Sequence, residues 1–217
     1  MIKVLVVDDH ELVRAGITRM LQDSTDIEVT GEASSGEEAV DHVRETRPDV
    51  VLMDIRMPGI GGLEATRRIL RIDDDIKVIV VTACADDPYP TRVMQAGATA
   101  YVTKGADLRE MIRAIRMAHT GQRYISPEIA QKMAFKQLGD QQEPEQSAFD
   151  RLSERELQIA MMIVDCNKVQ EISDKLCLSP KTVNSYRYRI FEKLDISSDV
   201  ELALMAVRVG LLDANKV

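Results

Sequence analysis

The sequence predicts an α/β unit built on a parallel sheet, followed by an all-α unit, and three observations carry that reading. Short β-branched runs alternate with amphipathic helical patterns over residues 1–121. A polar stretch, LGDQQEPEQSAFD, rich in Gln and Glu and containing Gly139 and Pro144, then interrupts the pattern. Beyond about Phe149 every period is helical. The expected organisation is therefore an α/β domain over 1–121, a linker over 122–148 and a helical domain over 149–217.

Taken in order, the clearest strands are Ile2–Val7, Asp49–Ile55 and Lys77–Ala83, with weaker ones at Val29–Ser34 and Ala100–Lys104. Leu12, Val13, Ile17, Met20 and Leu21 form one apolar face after the first strand. Ser35 with Glu38 predicts a capping box, and Asp107 with Glu110 resembles another. Helical patterns over Gly61–Leu70 and Tyr89–Ala96 fill the remaining gaps. Five strands alternating with five helices give a doubly wound parallel sheet covered on both faces. Within the linker, SPEIAQKMAFKQ reads as a short helix belonging to neither core. In the helical part, Ser153 and Glu156 cap one helix. Ser179 followed by Pro180 starts another, and Ser198 with Glu201 caps a third.

At 217 residues the chain suits two domains, and 45% hydrophobic with 29% charged residues is ordinary globular composition. No apolar run approaches the roughly eighteen residues a membrane span needs, so no membrane insertion is expected. MIKVLVV lacks a cleavage site and reads as a first strand, not a signal peptide. Three cysteines, Cys84, Cys166 and Cys177, are an odd number at spacings of no metal motif. They read as reduced thiols of a cytoplasmic protein and as small buried hydrophobes. The formal charge of −8 argues against nucleic acid as a bulk partner. Its distribution qualifies that: Pro180–Lys193 holds four basic residues and one acidic.

Three aspartates fall at strand carboxyl ends, where ligands gather in open α/β sheets. Asp8 and Asp9 follow the first strand, and Asp54 closes VVLMD. Carboxylates this close raise one another's pKa unless a cation neutralises them. Mg2+, a hard ion taking carboxylates, carbonyls and water, answers that need. Thr82 ends the fourth strand and Lys104 the fifth; the hydroxyl can donate to a phosphoryl oxygen and the ammonium can neutralise its charge. The set therefore points to Mg-assisted phosphoryl transfer.

VVDDH, VLMDIRMPGIGG, VVTA and AYVTKGA resemble, in order and spacing, the receiver domain of bacterial two-component response regulators over residues 2–119. The resemblance implies a flavodoxin-like fold with Asp54 as phospho-acceptor. It further implies that Asp9, Asp54 and the backbone carbonyl of Arg56 hold Mg2+, with Asp8 nearby. Thr82 would follow the phosphoryl group inward, Tyr101 would be the coupled switch aromatic, and Lys104 would bridge to the aspartyl phosphate. A small-molecule phosphatase is the rival. Such enzymes often carry a second Asp two residues past the nucleophile, where Arg56 stands here.

In the tail, VQEISDKL and PKTVNSYRYRIFEKL are two helices joined by LCLS. Val183, Tyr186, Ile190 and Leu194 recur at helical spacing and face the core. Lys181, Asn184, Ser185, Tyr188 and Glu192 form the opposite stripe, flanked by Arg187 and Arg189. Short polar and basic side chains in that pattern suit a DNA major groove. Lys181, Thr182, Asn184, Ser185, Arg187, Tyr188 and Arg189 are the candidate DNA contacts. The segment resembles the helix-turn-helix domain of NarL/FixJ (LuxR-type) regulators over residues 149–213. The family's usual Gly in the turn is replaced by Cys166-Asn167, where Asn tolerates a left-handed backbone. The last helix carries Leu202, Ala206 and Val209 as an apolar stripe, which in the family pairs two DNA-binding domains; packing within the domain is the alternative.

The family resemblance implies a cytoplasmic transcription activator with at most self-phosphorylation and dephosphorylation activity. Its implied partners are a hybrid sensor histidine kinase or its phosphotransfer domain, promoter DNA and RNA polymerase, with a homodimer formed on phosphorylation. The likeness is strongest to global activators of the family, whose targets include promoters of small regulatory RNAs.

Overall fold

A computed structural model describes residues 1–82, 90–138, 149 and 151–208. The chain divides into two compact units, Met1–Met133 and Ala134–Val217, each considered separately. The first alternates strand and helix throughout: β1 Ile2–Val7, α1 Glu11–Leu21, β2 Ile27–Ala33, α2 Gly36–Thr46, β3 Val50–Asp54, α3 Gly61–Ile72, β4 Lys77–Thr82, α4 Pro90–Gln95, β5 Ala100–Thr103, α5 Leu108–His119 and β6 Tyr124–Ile125. All pairings are parallel, in the order β2-β1-β3-β4-β5-β6.

The sheet is buried on both faces because its strands are apolar at consecutive positions. Val4, Val6, Val50, Leu52, Ile79, Val81, Ala100 and Val102 pack with Leu21 of α1 and with Met111, Ala114, Ile115 and Ala118 of α5. The alternate residues Leu5, Val7, Val51, Met53 and Val78 pack with α2 and α3 through Ala39, Val40, Val43, Ala65 and Ile69. Period-2 alternation thus divides one apolar run between two cores. On α1 the expected apolar face is narrower than the sequence suggests. Leu21 is buried and Val13, Ile17 and Met20 are half-buried, but Leu12 is 88% exposed, standing at the first turn beyond the edge of the core.

The five expected strands are all present, and β6 adds a sixth of two residues. It pairs Tyr124 and Ile125 with Ala100 and Tyr101 of β5. Ile129 is fully buried in α6 Pro127–Leu138. The first unit therefore runs past residue 121, and the start of SPEIAQKMAFKQ belongs to its core, not to a free linker. The reason is local. Tyr124 and Ser126 both donate hydrogen bonds to Glu110 of α5, at 3.0 and 2.5 Å, fastening the segment beside β5.

The second unit is helical: α7 Glu154–Val164, α8 Val169–Lys175, α9 Pro180–Leu194 and α10 Asp199–Arg208. Ser153 and Glu156 form the expected reciprocal capping box. The other expected boxes are half-formed. Ser35, Asp107 and Ser198 accept backbone N–H groups of Glu38, Glu110 and Glu201. The glutamates themselves bond elsewhere: Glu38 takes Ser34, Glu201 takes Ser197 and Glu110 holds β6. Two expectations for the cysteines are corrected. Cys166 and Cys177 are exposed, not buried, each at a helix end with a left-handed backbone (φ 60° and 51°). It is Cys166, not Asn167, that takes the conformation usually given to Gly. Asn167 instead donates its side-chain amide to the Met162 carbonyl and accepts Lys175, closing the turn. Cys84 and Val209 lie outside the described residues.

Two glycines generate opposite expectations. A Cβ on Gly62, in the first turn of α3, would overlap the Asp54 carbonyl oxygen, whereas one on Gly16 in α1 would meet nothing within 4 Å. Gly62→Ala is expected to destabilise the first unit by about 1–3 kcal/mol, as overpacking does. Gly16→Ala should stabilise it by about 0.5–1 kcal/mol through helix propensity. Urea titration of both variants reads the difference in sign. In the second unit, burial works to raise the Glu156 carboxyl, but bonds from Lys193 (2.6 Å) and Ser153 outweigh it and hold the carboxyl below its ordinary value of 4.5. A depressed folded pKa contributes stability that is present above the unfolded value and lost as pH falls through the folded one. The melting temperature of this unit should thus drop as pH falls below about 4.5, and Glu156→Gln, costing on the order of 1–3 kcal/mol at neutral pH, should flatten that dependence.

Candidate functional site

Parallel pairing of neighbouring strands brings the acidic residues together. Val7 of β1 lies opposite Met53 of β3, so Asp8 leaves its strand level with Asp54. Strand order reverses between these two strands, which opens the crevice in which such sheets bind ligands. Asp8 and Asp54 are buried, Asp9 is half-buried and His10 is exposed. On the other side, Thr82 ends β4 opposite Thr103, and Lys104 follows immediately. The Lys104 amide donates to the Thr82 carbonyl at 2.6 Å, holding the lysine over the pocket.

The Lys104 ammonium lies 2.6 Å from Asp8 Oδ2 and 2.8 Å from Asp54 Oδ2. Asp54 Oδ1 accepts the Arg56 amide at 3.3 Å, so the Arg56 backbone follows that carboxylate directly. Burial pushes the Asp54 carboxyl above its ordinary range; Lys104 offsets this in part and the charge on Asp8 adds to it. For Lys104, burial works downward, but bonding and attraction from Asp54 and Asp8 prevail and raise its pKa. A strained pair of carboxylates is thus held by one shared cation.

Of the residues expected at this site, Asp8, Asp9, Asp54, Thr82 and Lys104 all fall at the carboxyl ends of adjacent strands. Tyr101 sits in β5 with its side chain fully buried, so the ring already occupies an inward position. Ligand atoms of Asp8, Asp9, His10 and Asp54 lie within 4.8 Å of one another. Three carboxylates form a hard oxygen donor set that suits a small divalent cation. Two contributors were missed from sequence. His10 places Nδ1 2.8 Å from Asp9 Oδ1 and 3.3 Å from Asp8 Oδ1. Arg14, one turn into α1, donates from Nη1 to the Asp8 carbonyl at 2.7 Å and lies 3.5 Å from Glu32 on β2. The available signal was position: a His directly after the acidic pair and a basic residue one turn later.

In the second unit, Ser179 accepts the Thr182 amide and Pro180 starts α9. Val183, Ile190 and Leu194 are buried against the domain. Tyr186 is only half-buried, with the Arg189 guanidinium 5.8 Å from its ring. Lys181, Ser185, Tyr188, Arg189 and Glu192 are exposed, Tyr188 at 74%; Thr182 and Asn184 are half-buried. The stripe expected on this helix therefore stands at the surface. Arg187 has a partner within the unit. Its guanidinium forms two bonds to Asp199, at 2.8 and 2.6 Å, and stacks 5.4 Å from the Phe191 ring, joining α9 to α10. On α10, Leu202 and Ala206 are buried within the domain, while Val200 and Leu204 are exposed.

Fold and site together define a response regulator: an acid-pocket α/β unit joined to a helix-turn-helix unit. The family models agree. Residues 4–116 match the response regulator receiver domain, and residues 150–206 match the bacterial regulatory proteins of the luxR family. The chain belongs to the LuxR-family two-component response regulators, DNA-binding regulators of transcription. It is 67% identical over 215 residues to the response regulator GacA of Pseudomonas syringae pv. syringae (strain B728a), covering 99% of this chain and 100% of that one. It is 58% identical to the response regulator UvrY of Escherichia coli (strain K12), covering 99% and 97%. A crystal structure of a LuxR-family two-component response regulator from Aurantimonas sp. SI85-9A1 matches with TM-score 0.60 and 38% identity, covering 63% of this chain and 97% of that one. Among the described residues no helix is long and apolar enough to cross a membrane.

Lys104→Met leaves two buried carboxylates facing each other, and the variant is expected to lose on the order of 2 kcal/mol at neutral pH. The sign with pH follows from Asp54. A folded pKa raised above the unfolded 3.8 gives stability that is present below the unfolded value and lost as pH rises through the folded one. Without Lys104 the carboxyl rises further, so the deficit should shrink as the pH is lowered towards 5. Melting curves of both proteins over pH 5–8 measure it.

Proposed function

We propose that Asp54 accepts a phosphoryl group and that its phosphorylation controls DNA binding by α9. The supporting observation is the Lys104 ammonium shared by Asp8 and Asp54 at the mouth of the crevice. A carboxylate at a strand end, with a mobile cation already beside it, suits capture of a phosphoryl group whose charge that cation then meets. In the step itself, an Asp54 carboxylate oxygen forms a bond to phosphorus. The bond from phosphorus to the donor, a kinase imidazole nitrogen or a small acyl phosphate oxygen, breaks with its electron pair. The modest reactivity assigned to the protein is this transfer and the hydrolysis of the product.

Asp9, Asp54 and the backbone carbonyl of Arg56, with Asp8 nearby, are the residues that would hold Mg2+. When bound, the ion neutralises charge on the phosphoryl oxygens. Thr82 supplies a hydroxyl to a phosphoryl oxygen, and Lys104 exchanges a carboxylate for the acyl phosphate. Phosphorylation adds about −1.5 to −2 charge, enough to redistribute Lys104 and Thr82 and with them the strand that carries Tyr101. The bias is set by how differently the two arrangements hold the phosphoryl group.

For DNA, Lys181 and Arg189 meet phosphates, and Thr182, Asn184, Ser185 and Tyr188 face base edges or sugar. Arg187, which also bonds Asp199 of α10, flanks that set. Two copies would read a near-palindrome with half-sites about one helical turn apart. The partners are a sensor histidine kinase or its phosphotransfer domain, promoter DNA including promoters of small regulatory RNAs, and RNA polymerase. The protein would work in the cytoplasm as a homodimer when phosphorylated.

Two measurements test this reading. Asp54→Asn should abolish labelling by radioactive acetyl phosphate in the presence of Mg2+; undiminished labelling overturns the acceptor assignment. In gel shifts, Lys181→Ala should weaken all DNA about equally and lower the salt dependence, whereas Asn184→Ala should relax sequence preference, by about 1–3 kcal/mol at the base it reads.

A further inference from the structure

Asp8 divides its two carboxylate oxygens between different neighbours. Oδ2 faces the Lys104 ammonium at 2.6 Å. Oδ1 accepts the His10 amide at 2.9 Å and lies 3.3 Å from His10 Nδ1. Asp9 Oδ1 stands on the same side, 2.8 Å from that nitrogen. The pocket therefore has a lysine-facing half and an imidazole-facing half, and the second half offers a ring nitrogen beside two carboxylate oxygens. The ring is 66% exposed, so it can turn to admit an ion without disturbing the core. Arg14 fixes the backbone beneath it through the Asp8 carbonyl.

Mg2+ takes oxygen ligands and keeps its water, so it gains nothing from an imidazole. Borderline first-row ions such as Ni2+, Co2+ and Zn2+ bind imidazole nitrogen strongly, and carboxylates complete such sites. Resting on the metal pocket proposed above, we infer that His10 is a metal-specificity residue: its Nδ1 coordinates borderline divalent ions in the acidic pocket and gives them an advantage that Mg2+ does not share. Ligand atoms of the four residues within 4.8 Å of one another leave room for an ion bound to the imidazole and to at least one carboxylate. Coordination requires Nδ1 to be the unprotonated nitrogen, so the hydrogen bond between Nδ1 and Asp8 Oδ1 is given up when the ion enters and the ring proton resides on Nε2.

The test uses the full chain with its thiols reduced. Mg2+ and Ni2+ affinities are measured by calorimetry for the native protein, His10→Gln and Asp54→Asn. The imidazole nitrogens of the three histidines are followed by 15N NMR as Zn2+ is added. The expected result has three parts: His10→Gln weakens Ni2+ at least tenfold and changes Mg2+ less than twofold; Asp54→Asn weakens both ions; and His10 Nδ1 shifts on Zn2+ addition at one equivalent. Equal Ni2+ affinity in His10→Gln and native protein, parallel loss of both ions, or an unshifted Nδ1 overturns the role of His10 while leaving the Mg2+ pocket standing. Absence of Mg2+ binding by the native protein overturns the pocket and the inference together.

Discussion

The organising constraint of the first unit is electrostatic: two buried carboxylates, Asp8 and Asp54, share one lysine ammonium. Parallel pairing of β1 with β3 sets the carboxylates level, and the Thr82 carbonyl holds the backbone of Lys104 on the far side. Each carboxylate is costly to bury alone, and each depends on a residue about fifty or a hundred positions away. The pocket is therefore a property of the closed sheet, not of any segment.

Supporting interactions converge on the same loop. Arg14 holds the Asp8 carbonyl and reaches Glu32, which accepts a hydrogen bond from Thr18. Gly62 lets α3 begin against the Asp54 carbonyl, and its amide donates to the Ile55 carbonyl at 3.1 Å. Glu37 accepts the Ile60 amide at 3.0 Å and so ties the loop after β3 to α2. At the opposite edge, Ser126 donates its amide to the Tyr101 carbonyl. The strand carrying Tyr101 is thereby linked by backbone to the segment that leads into α6.

The second unit solves a different problem. Its helices are short, so caps and cross-helix bonds carry much of the specification. Arg155 donates to the Leu176 carbonyl at the end of α8, Lys193 of α9 reaches Glu156 of α7, and Arg187 of α9 grips Asp199 of α10. The last two of these bonds orient α9 while its Lys181, Ser185 and Tyr188 remain exposed. Basic residues on one helix thus differ in their surroundings, Lys193 and Arg187 bonded to neighbouring helices and Lys181 exposed.

By itself, the sequence determined the strands, the helices, most caps and the five strand-end side chains, because these are written in local periodicity and in residues next to each other. Continuous apolar runs such as VVLMD announce a strand buried on both faces, and Ser179-Pro180 announces a helix start. The three-dimensional structure decided the rest, since those outcomes rest on which of several available partners, near or far in the chain, each side chain takes. The two-residue β6 is invisible to any period and exists because Glu110 fastens it. Glu38 and Glu201 look like box residues but bond outside the box. Cys166 and Cys177 look like small core residues, yet the turns they occupy put them at the surface with left-handed backbones. Arg187 reads from sequence as a flank of the polar stripe, and its bond to Asp199, twelve residues on, is visible only in the structure. His10 acquires meaning when the first strand is laid beside the third, and Arg14 when it is laid beside the second. Local pattern selects the element; the choice among a side chain's available partners is made by which elements the fold brings within hydrogen-bond reach.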